Sequence, residues 1–301
     1  MARQKRLKVA AVNITTEPPH CGTRYIELFK AVANKDPSFN APLGGSDYLM
    51  IDSVVEMQYP LDILMSAKPE GTLLCGNLIR FTRIDPKLPW GKRSTKTVIL
   101  DDEGKPIPQV DEDLCPNWRS ISFIFDVERH LLVYDTRNIA PNLFSKGIAG
   151  LFADVDIVSA FGPITTVTIP TIDALSTLMK LPQKRSVIMD FSLPNGDVPD
   201  EMEESIKRRY QKRNVSRIKM EEVAQIDKEI VPDDEMEATM RVASLNGYVS
   251  VVHVDKSGAV QTKSTREMPR IESDMYGEKE YWQVFKKLAK IFAASIRGKA
   301  E

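Results

Sequence analysis

The sequence predicts an α+β protein: antiparallel or mixed sheets with helices packed on them, arranged as two sheet-and-helix lobes. Three observations carry this reading. Apolar runs pair across turn signals in three places. Helical periodicity recurs between them. Strands and helices do not alternate strictly, which disfavours a doubly wound parallel sheet. The chain has 301 residues, 42% hydrophobic and 28% charged, which is enough apolar residue to bury a core and too much for a disordered chain.

Residues 7–14 form an apolar run, interrupted by Lys8 and Asn13, that reads as a buried strand. Pro18 and Pro19 make the next segment a loop. Tyr25, Ile26, Phe29 and Val32 share one face of a helix over 24–34. Residues 48–59 have strand composition, so the chain opens as β-α-β. A long strand over 73–84 follows, with a polar break at Gly76 and Asn77. Residues 97–100 and 107–110 flank a turn from Asp101 to Lys105 in which Gly104 supplies the positive φ. A second hairpin joins 121–125 to 131–134, turning at Glu128 and Arg129. Pro141 near the start marks a helix over 138–152.

The second half continues with a strand at 164–169, a helix at 171–181 and a strand at 187–191. A helix over 200–213, a strand over 218–223 and a helix over 233–245 come next. Asn246 and Gly247 read as a left-handed cap on the last of these. Residues 248–254 and 260–263 make a third hairpin. The final helix, 278–296, carries Tyr281, Val284, Phe285, Leu288, Ile291 and Phe292 in one stripe, expected to dock on a sheet or on a partner. The lobes are placed at 1–150 and 151–301, although no low-complexity linker marks the boundary.

Lys and Arg number 41 against 42 Asp and Glu, a net charge of −1, so charge-driven binding must be local. Cys21, Cys75 and Cys115 form no close pair and read as reduced thiols in a cytoplasmic protein. No signal-peptide core or membrane-length apolar run is present. Walker A, GxGxxG, HExxH and GxSxG motifs and zinc-ligand spacing are all absent, so no cofactor or metal is expected and an enzyme is the less favoured reading.

The sharpest charge feature runs from Lys207 to Lys219, with seven positive charges and no negative one. Lys207 and Arg208 are explained by i,i+4 pairing with Glu203 and Glu204 and by the helix dipole. Arg209, Lys212, Arg213, Arg217 and Lys219 continue past that explanation and, with Tyr210 among them, suit a phosphate backbone. Arg80 and Arg83 form a second basic segment, and Trp90 beyond them either stacks on a ligand or packs on its own domain. His20, Gly22 and Arg24 lie where a strand gives way to a helix, a place where free N–H groups bind anions and where Cys21 would gain nucleophilicity. The simpler reading is a turn with Thr23 as the cap.

The acids Asp101, Asp102, Glu103, Asp111, Glu112 and Asp113 read as solvated turns rather than a cation site. Asp126, Glu128 and Asp135 flank the second hairpin, and Asp126, Glu128 and Lys146 meet no required nuclease spacing. His253 reads as a sheet residue hydrogen-bonded to a neighbour, and His130 as exposed after a turn.

The run from Arg80 to Pro86 ahead of Pro89 and Trp90, together with the hairpin ending at Asn138, resembles a bacterial family of unknown function. Many members of that family are linked to phage-defence gene clusters. The resemblance covers most of the chain and implies an antiviral setting, with no catalytic signature to carry over. Three functions are therefore weighed. A non-enzymatic nucleic-acid-binding or sensing protein ranks first, with self-association through helix 278–296 as its expected route to an oligomer. A protein-interaction subunit acting through helix 278–296, as an inhibitor or adaptor of a toxin or ATPase, ranks second. A divalent-metal nuclease with dispersed carboxylates ranks third.

Overall fold

A computed structural model describes residues 4–16, 22–36, 38–60, 70–85, 90–92, 94–105, 113–193, 201–277 and 279–296. Its elements begin with β1 (Lys5–Thr15), α1 (Gly22–Ala33), β2 (Ala41–Gly44), β3 (Asp47–Pro60) and β4 (Glu70–Thr82). Next come β5 (Trp90–Lys92), β6 (Thr97–Ile99), β7 (Arg119–Asp126), β8 (Leu131–Asp135), α2 (Pro141–Phe152), α3 (Val155–Phe161) and β9 (Thr165–Thr168). The chain continues through α4 (Ala174–Met179), β10 (Lys184–Ser192), α5 (Glu201–Gln211), β11 (Arg217–Val223) and α6 (Asp234–Asn246). It closes with β12 (Gly247–Val254), β13 (Val260–Ser264), β14 (Glu272–Tyr276) and α7 (Tyr281–Ile296).

The apolar run of β1 makes it the strand on which the large sheet is built. Successive side chains of a strand point to opposite faces. In β1, Ala10, Val12 and Ile14 join one core, and Leu7, Val9 and Ala11 the other. A strand buried on both faces reads as a continuous apolar run, which is why this one was legible. The large sheet has eight strands in the order β14-β1-β8-β7-β4-β3-β2, with β9 on β1, and it curls into a half-barrel. One face carries the core shared with Tyr25, Phe29, Phe144, Ile148, Phe152 and Ile157 of α1, α2 and α3. The other packs against Phe285, Leu288 and Phe292 of α7.

A second sheet, β11-β10-β12-β13, is antiparallel throughout. Val187, Met189 and Phe191 of β10 face Met236, Met240 and Val242 of α6, with Leu178 of α4 and Tyr210 of α5. The α+β class and the antiparallel sheets are therefore as expected.

The lobes divide differently from the expected 1–150 and 151–301. β9 and β14 both pair with the same strand, β9 along Val12 to Thr15 and β14 along Lys5 to Val9. Where the chain leaves and re-enters the large sheet, Pro170 bridges Pro269, and Arg270 N donates to Ile169 O at 2.9 Å. The small sheet with its helices is thus an insertion between β9 and β14, and the carboxyl-terminal helix belongs to the large sheet.

Other local expectations also change. β1 does not pair with β3, so the opening is not a β-α-β unit of one parallel pair. Thr97 to Ile99 pairs with Trp90 to Lys92, which half-buries Trp90. The expected partner arm at 107–110 lies outside the described residues, although Gly104 does take φ +78. Gly247 has φ −178 and is no left-handed cap. The glycine is required because β12 begins there: a Cβ would stand 1.9 Å from Asp190 O. His130 is half-buried and stacks on Tyr25 with ring centroids 4.5 Å apart. His253 is 3% exposed, and neither ring nitrogen has a hydrogen-bond partner among the described residues.

Candidate functional site

The inserted lobe meets the large sheet across a cleft of about 310 Å³. α2 builds one wall. Pro141 sits at its first position, where the missing N–H costs nothing. Phe144, Gly147, Ile148 and Leu151 turn to the core. Asn142, Ser145, Lys146 and Ala149, at i, i+3, i+4 and i+7, line the cleft. Thr165, Thr166 and Thr168 of β9 add hydroxyls, and Ser192 of β10 faces them.

Two arginines line the opposite wall, across from Lys146. Arg217 Nε and Nη2 donate to the two oxygens of Asp190 at 2.7 and 2.9 Å. The Asp190 hydrogen bond raises the Arg217 pKa against a smaller opposing effect of burial, so the guanidinium stays charged. The Arg266 guanidinium lies 3.6 Å from the centroid of the Tyr248 ring, and Arg266 also lines the cleft. Lys146 Nζ donates to Leu43 O at 2.9 Å, which fixes the amine beside the β2–β3 turn. Three cations thus face one carboxylate in a chain of net charge −1.

A second hollow, of about 420 Å³, lies at the end of β3, β4 and β7. It is lined by Asp47, Arg80, Thr82, Asn117, Arg119, Arg137 and Asn138 among others. Arg80 Nη2 and Nε donate to Asp47 Oδ2 at 2.5 and 3.2 Å, and Nη1 donates to Asn138 O at 3.0 Å. Hydrogen bonds from Arg80, then from Thr82, hold the Asp47 carboxyl below its ordinary pKa. Arg137 is held by Asp135 and by the Tyr276 hydroxyl. Asn138 lines this hollow and Asn142 the cleft, so the two adjoin the start of α2.

Residues 5–290 match a family described as a domain of unknown function, DUF4747. The chain belongs to the DUF4747 family. No curated protein matches it. Both hollows of this DUF4747 chain fall inside the matched span.

The basic run that the sequence singled out is divided in the DUF4747 fold. Arg217 and Lys219 pair across β10 with Ser192 and Asp190, and so share the face of Asp190 that borders the cleft. α5 covers the other face. There Arg209 Nη1 pairs with Glu235 at 2.7 Å, and Arg209 and Arg213 lie 5.3 and 5.7 Å from the Tyr210 ring centroid. Lys212 is exposed beside them. These seven charges therefore do not make one patch, because the turn between α5 and β11 carries the chain from the helix layer to the sheet.

Arg80 enters the second hollow, while Arg83 is exposed and outside its lining. Among the anion candidates, His20 lies outside the described residues, as does Cys21. Arg24 is engaged: Nη2 donates to Phe161 O, at the end of α3, at 2.7 Å. Gly22 fits because a Cβ there would press on Val127 Cγ1 at 3.2 Å. Both have structural work.

The dispersed carboxylates do not converge. Asp126 pairs with Arg129 at 2.5 Å at the turn end of the β7–β8 hairpin. Asp135, at the far end of β8, holds Arg137 and accepts from Tyr281 Oη at 3.0 Å. Among the described residues no group of three His, Cys, Asp or Glu side chains is placed to hold a metal ion. Asp101 Oδ1 accepts from Glu103 N and Lys105 N, as in a solvated turn, and Asp111 and Glu112 lie outside the described residues. The apolar stripe of α7 packs on the chain's own sheet, leaving Trp282 43% and Ile291 38% exposed. Among the described residues no helix is long and apolar enough to cross a membrane.

Lys146, Arg266, Arg119 and Arg137 were not picked out as binding residues from the sequence, where Lys146 figured only beside Asp126 and Glu128. The polar stripe of α2 was a readable signal for Lys146. Nothing local marks the arginines, because they come together through strand pairing.

Proposed function

We propose that the protein binds single-stranded nucleic acid, DNA or RNA, through the inter-lobe cleft. The observation that supports this is the cleft's surplus of Lys146, Arg217 and Arg266 over Asp190, set among threonine and serine hydroxyls. Cations and hydroxyls contact phosphates, and each neutralised phosphate releases counterions. Lys219, exposed on the same sheet face, extends the track beyond the cleft. Concave hollows suit a strand better than a duplex, which is read by an element that protrudes into a groove. Antiviral defence, the setting that the sequence resemblance implies, is the context we attach to this binding.

The test is a salt titration with single-stranded DNA, single-stranded RNA and duplex DNA, watching for cleavage in the same tubes. Single strands should bind more tightly than duplex, with a log–log salt slope of about −0.7 per neutralised phosphate. Lys146→Gln together with Arg266→Gln should flatten that slope and leave the fold intact. Unchanged binding in the double variant would remove the cleft from the reading, and magnesium-dependent cutting would reinstate a nuclease.

A further inference from the structure

The hollow at the end of β3, β4 and β7 has a charge arrangement that the chain does not itself complete. Arg80 and Arg119 are direct cross-strand partners in the β4–β7 register. Cβ atoms of such partners lie roughly 5 Å apart, and like charges placed so are destabilising. Asp47 answers Arg80. Asp135, behind the hollow, answers Arg137. Among the described residues Arg119 has no carboxylate, carbonyl or ring partner, and it is exposed.

The unused donors can be assigned. A guanidinium carries five N–H groups in a fixed fork. Arg80 directs three of its own at Asp47 and the Asn138 carbonyl. Arg137 directs three at Asp135 and Tyr276. The Arg137 guanidinium is thus engaged on the α7 face of the sheet, while toward the hollow Arg80 has two donors left and Arg119 has all five. Two guanidinia side by side suit the doubly charged, three-oxygen end of a phosphate monoester better than the singly charged, two-oxygen phosphodiester. The neighbouring side chains are already oriented: Asn117 Nδ2 donates to Thr82 Oγ1, Thr82 Oγ1 donates to Asp47 Oδ1, and Asn138 Nδ2 donates to Ser120 O.

We propose that Arg119 and Arg80 form a binding site for a phosphate monoester, with Arg119 as the ligand that the fold leaves open. Its source is either a free phosphate or nucleotide, or the terminal phosphate of a nucleic-acid strand whose body lies in the cleft beyond Asn142. Only the second source rests on the function proposed above.

Thermal unfolding of the full chain in inorganic phosphate, against chloride at equal ionic strength, tests the site itself. Ligand that binds only the folded state raises Tm with concentration. Phosphate should raise Tm in the wild type and in Arg119→Lys. It should raise it by less than about a third as much in Arg119→Gln, an amide lacking the charge that strengthens such hydrogen bonds. Without phosphate, Arg119→Gln should be no less stable than wild type, since it removes a cross-strand repulsion. An equal phosphate effect in wild type and Arg119→Gln, or none in either, overturns the proposal.

Oligonucleotides separate the two sources. If the ligand is a strand end, a 5′- or 3′-phosphorylated strand should bind about tenfold tighter than its hydroxyl-ended counterpart, and Arg119→Gln should erase the difference. Equal affinities with the phosphate effect retained assign the site to a free phosphate or nucleotide. The cleft variant Lys146→Gln/Arg266→Gln should keep the phosphate effect while losing strand affinity, so failure of the cleft and failure of this site are read separately.

Discussion

Tyr281 shows how a single side chain ties the fold to pH. Its hydroxyl donates to Asp135, which also holds Arg137, and the Arg137 guanidinium lies 5.1 Å from the Tyr281 ring centroid. Burial, opposed by a hydrogen bond with Ser122 and reinforced by Asp135, pushes its pKa up to about 12. The unfolded phenol titrates near about 10. The folded state therefore holds this proton more tightly, and the resulting stability is full below the unfolded pKa and lost as pH rises through the folded one. Unfolding free energy should fall between about pH 10 and 12, and Tyr281→Phe should remove part of that slope. Denaturant unfolding at stepped pH, with phenolate absorbance followed in parallel, measures both. Asp47 acts at the other end of the scale: its lowered pKa contributes stability above the ordinary carboxylate value and loses it as pH falls through the folded one.

At the scale of elements, α7 covers one face of the large sheet. A 16-residue helix is marginal alone in water, so its stability comes from the face it buries. Phe285 and Phe292 are fully buried against Leu7, Val9, Ile124 and Val133. Phe285→Ala should destabilise the protein by about 3–5 kcal/mol, read as a lower urea midpoint at unchanged slope. A loss below about 1 kcal/mol would mean that the helix does not carry this face. The elements legible in the sequence were those with strong local patterns. The apolar run of β1, the hairpin of β7 and β8, the Pro141 start of α2 and the stripe of α7 each need only near neighbours to be recognised. β14 was missed because Glu272 to Tyr276 is polar and alternates outward, and only its pairing with β1 makes it a strand.

The whole molecule is a large sheet that contains a second lobe as an insertion. The two crossings lie side by side, joined by the Pro170–Pro269 bridge and by Thr171 N donating to Met268 O at 2.8 Å. Insertions with adjacent ends can be removed when both parts keep their own cores. Joining residue 170 to 269 through a short glycine-serine linker should leave a folded, cooperatively melting protein with the β1, β8 and α7 core intact. Circular dichroism and thermal melting would show it. The shortened chain should lose the affinity for strands that depends on Arg217 and Arg266, and it should keep the phosphate response of Arg119, which lies wholly on the large sheet.

The class of fold follows from local signals, because hydrophobic periodicity and turn chemistry involve only near neighbours and the α+β pattern needs nothing else. The sequence also located the charge on Arg80, Arg217 and Lys219. Tertiary structure alone decided which charges meet. The turn before β11 sends Arg217 and Lys219 to one side of the small sheet and leaves Arg209 and Arg213 on the other. Strand register brings Arg119 opposite Arg80 across 39 positions of chain, and the insertion places Arg266 in the same cleft as Lys146. These are contacts between residues far apart in sequence. Their pairing is set by the order and register of strands, which no local pattern encodes.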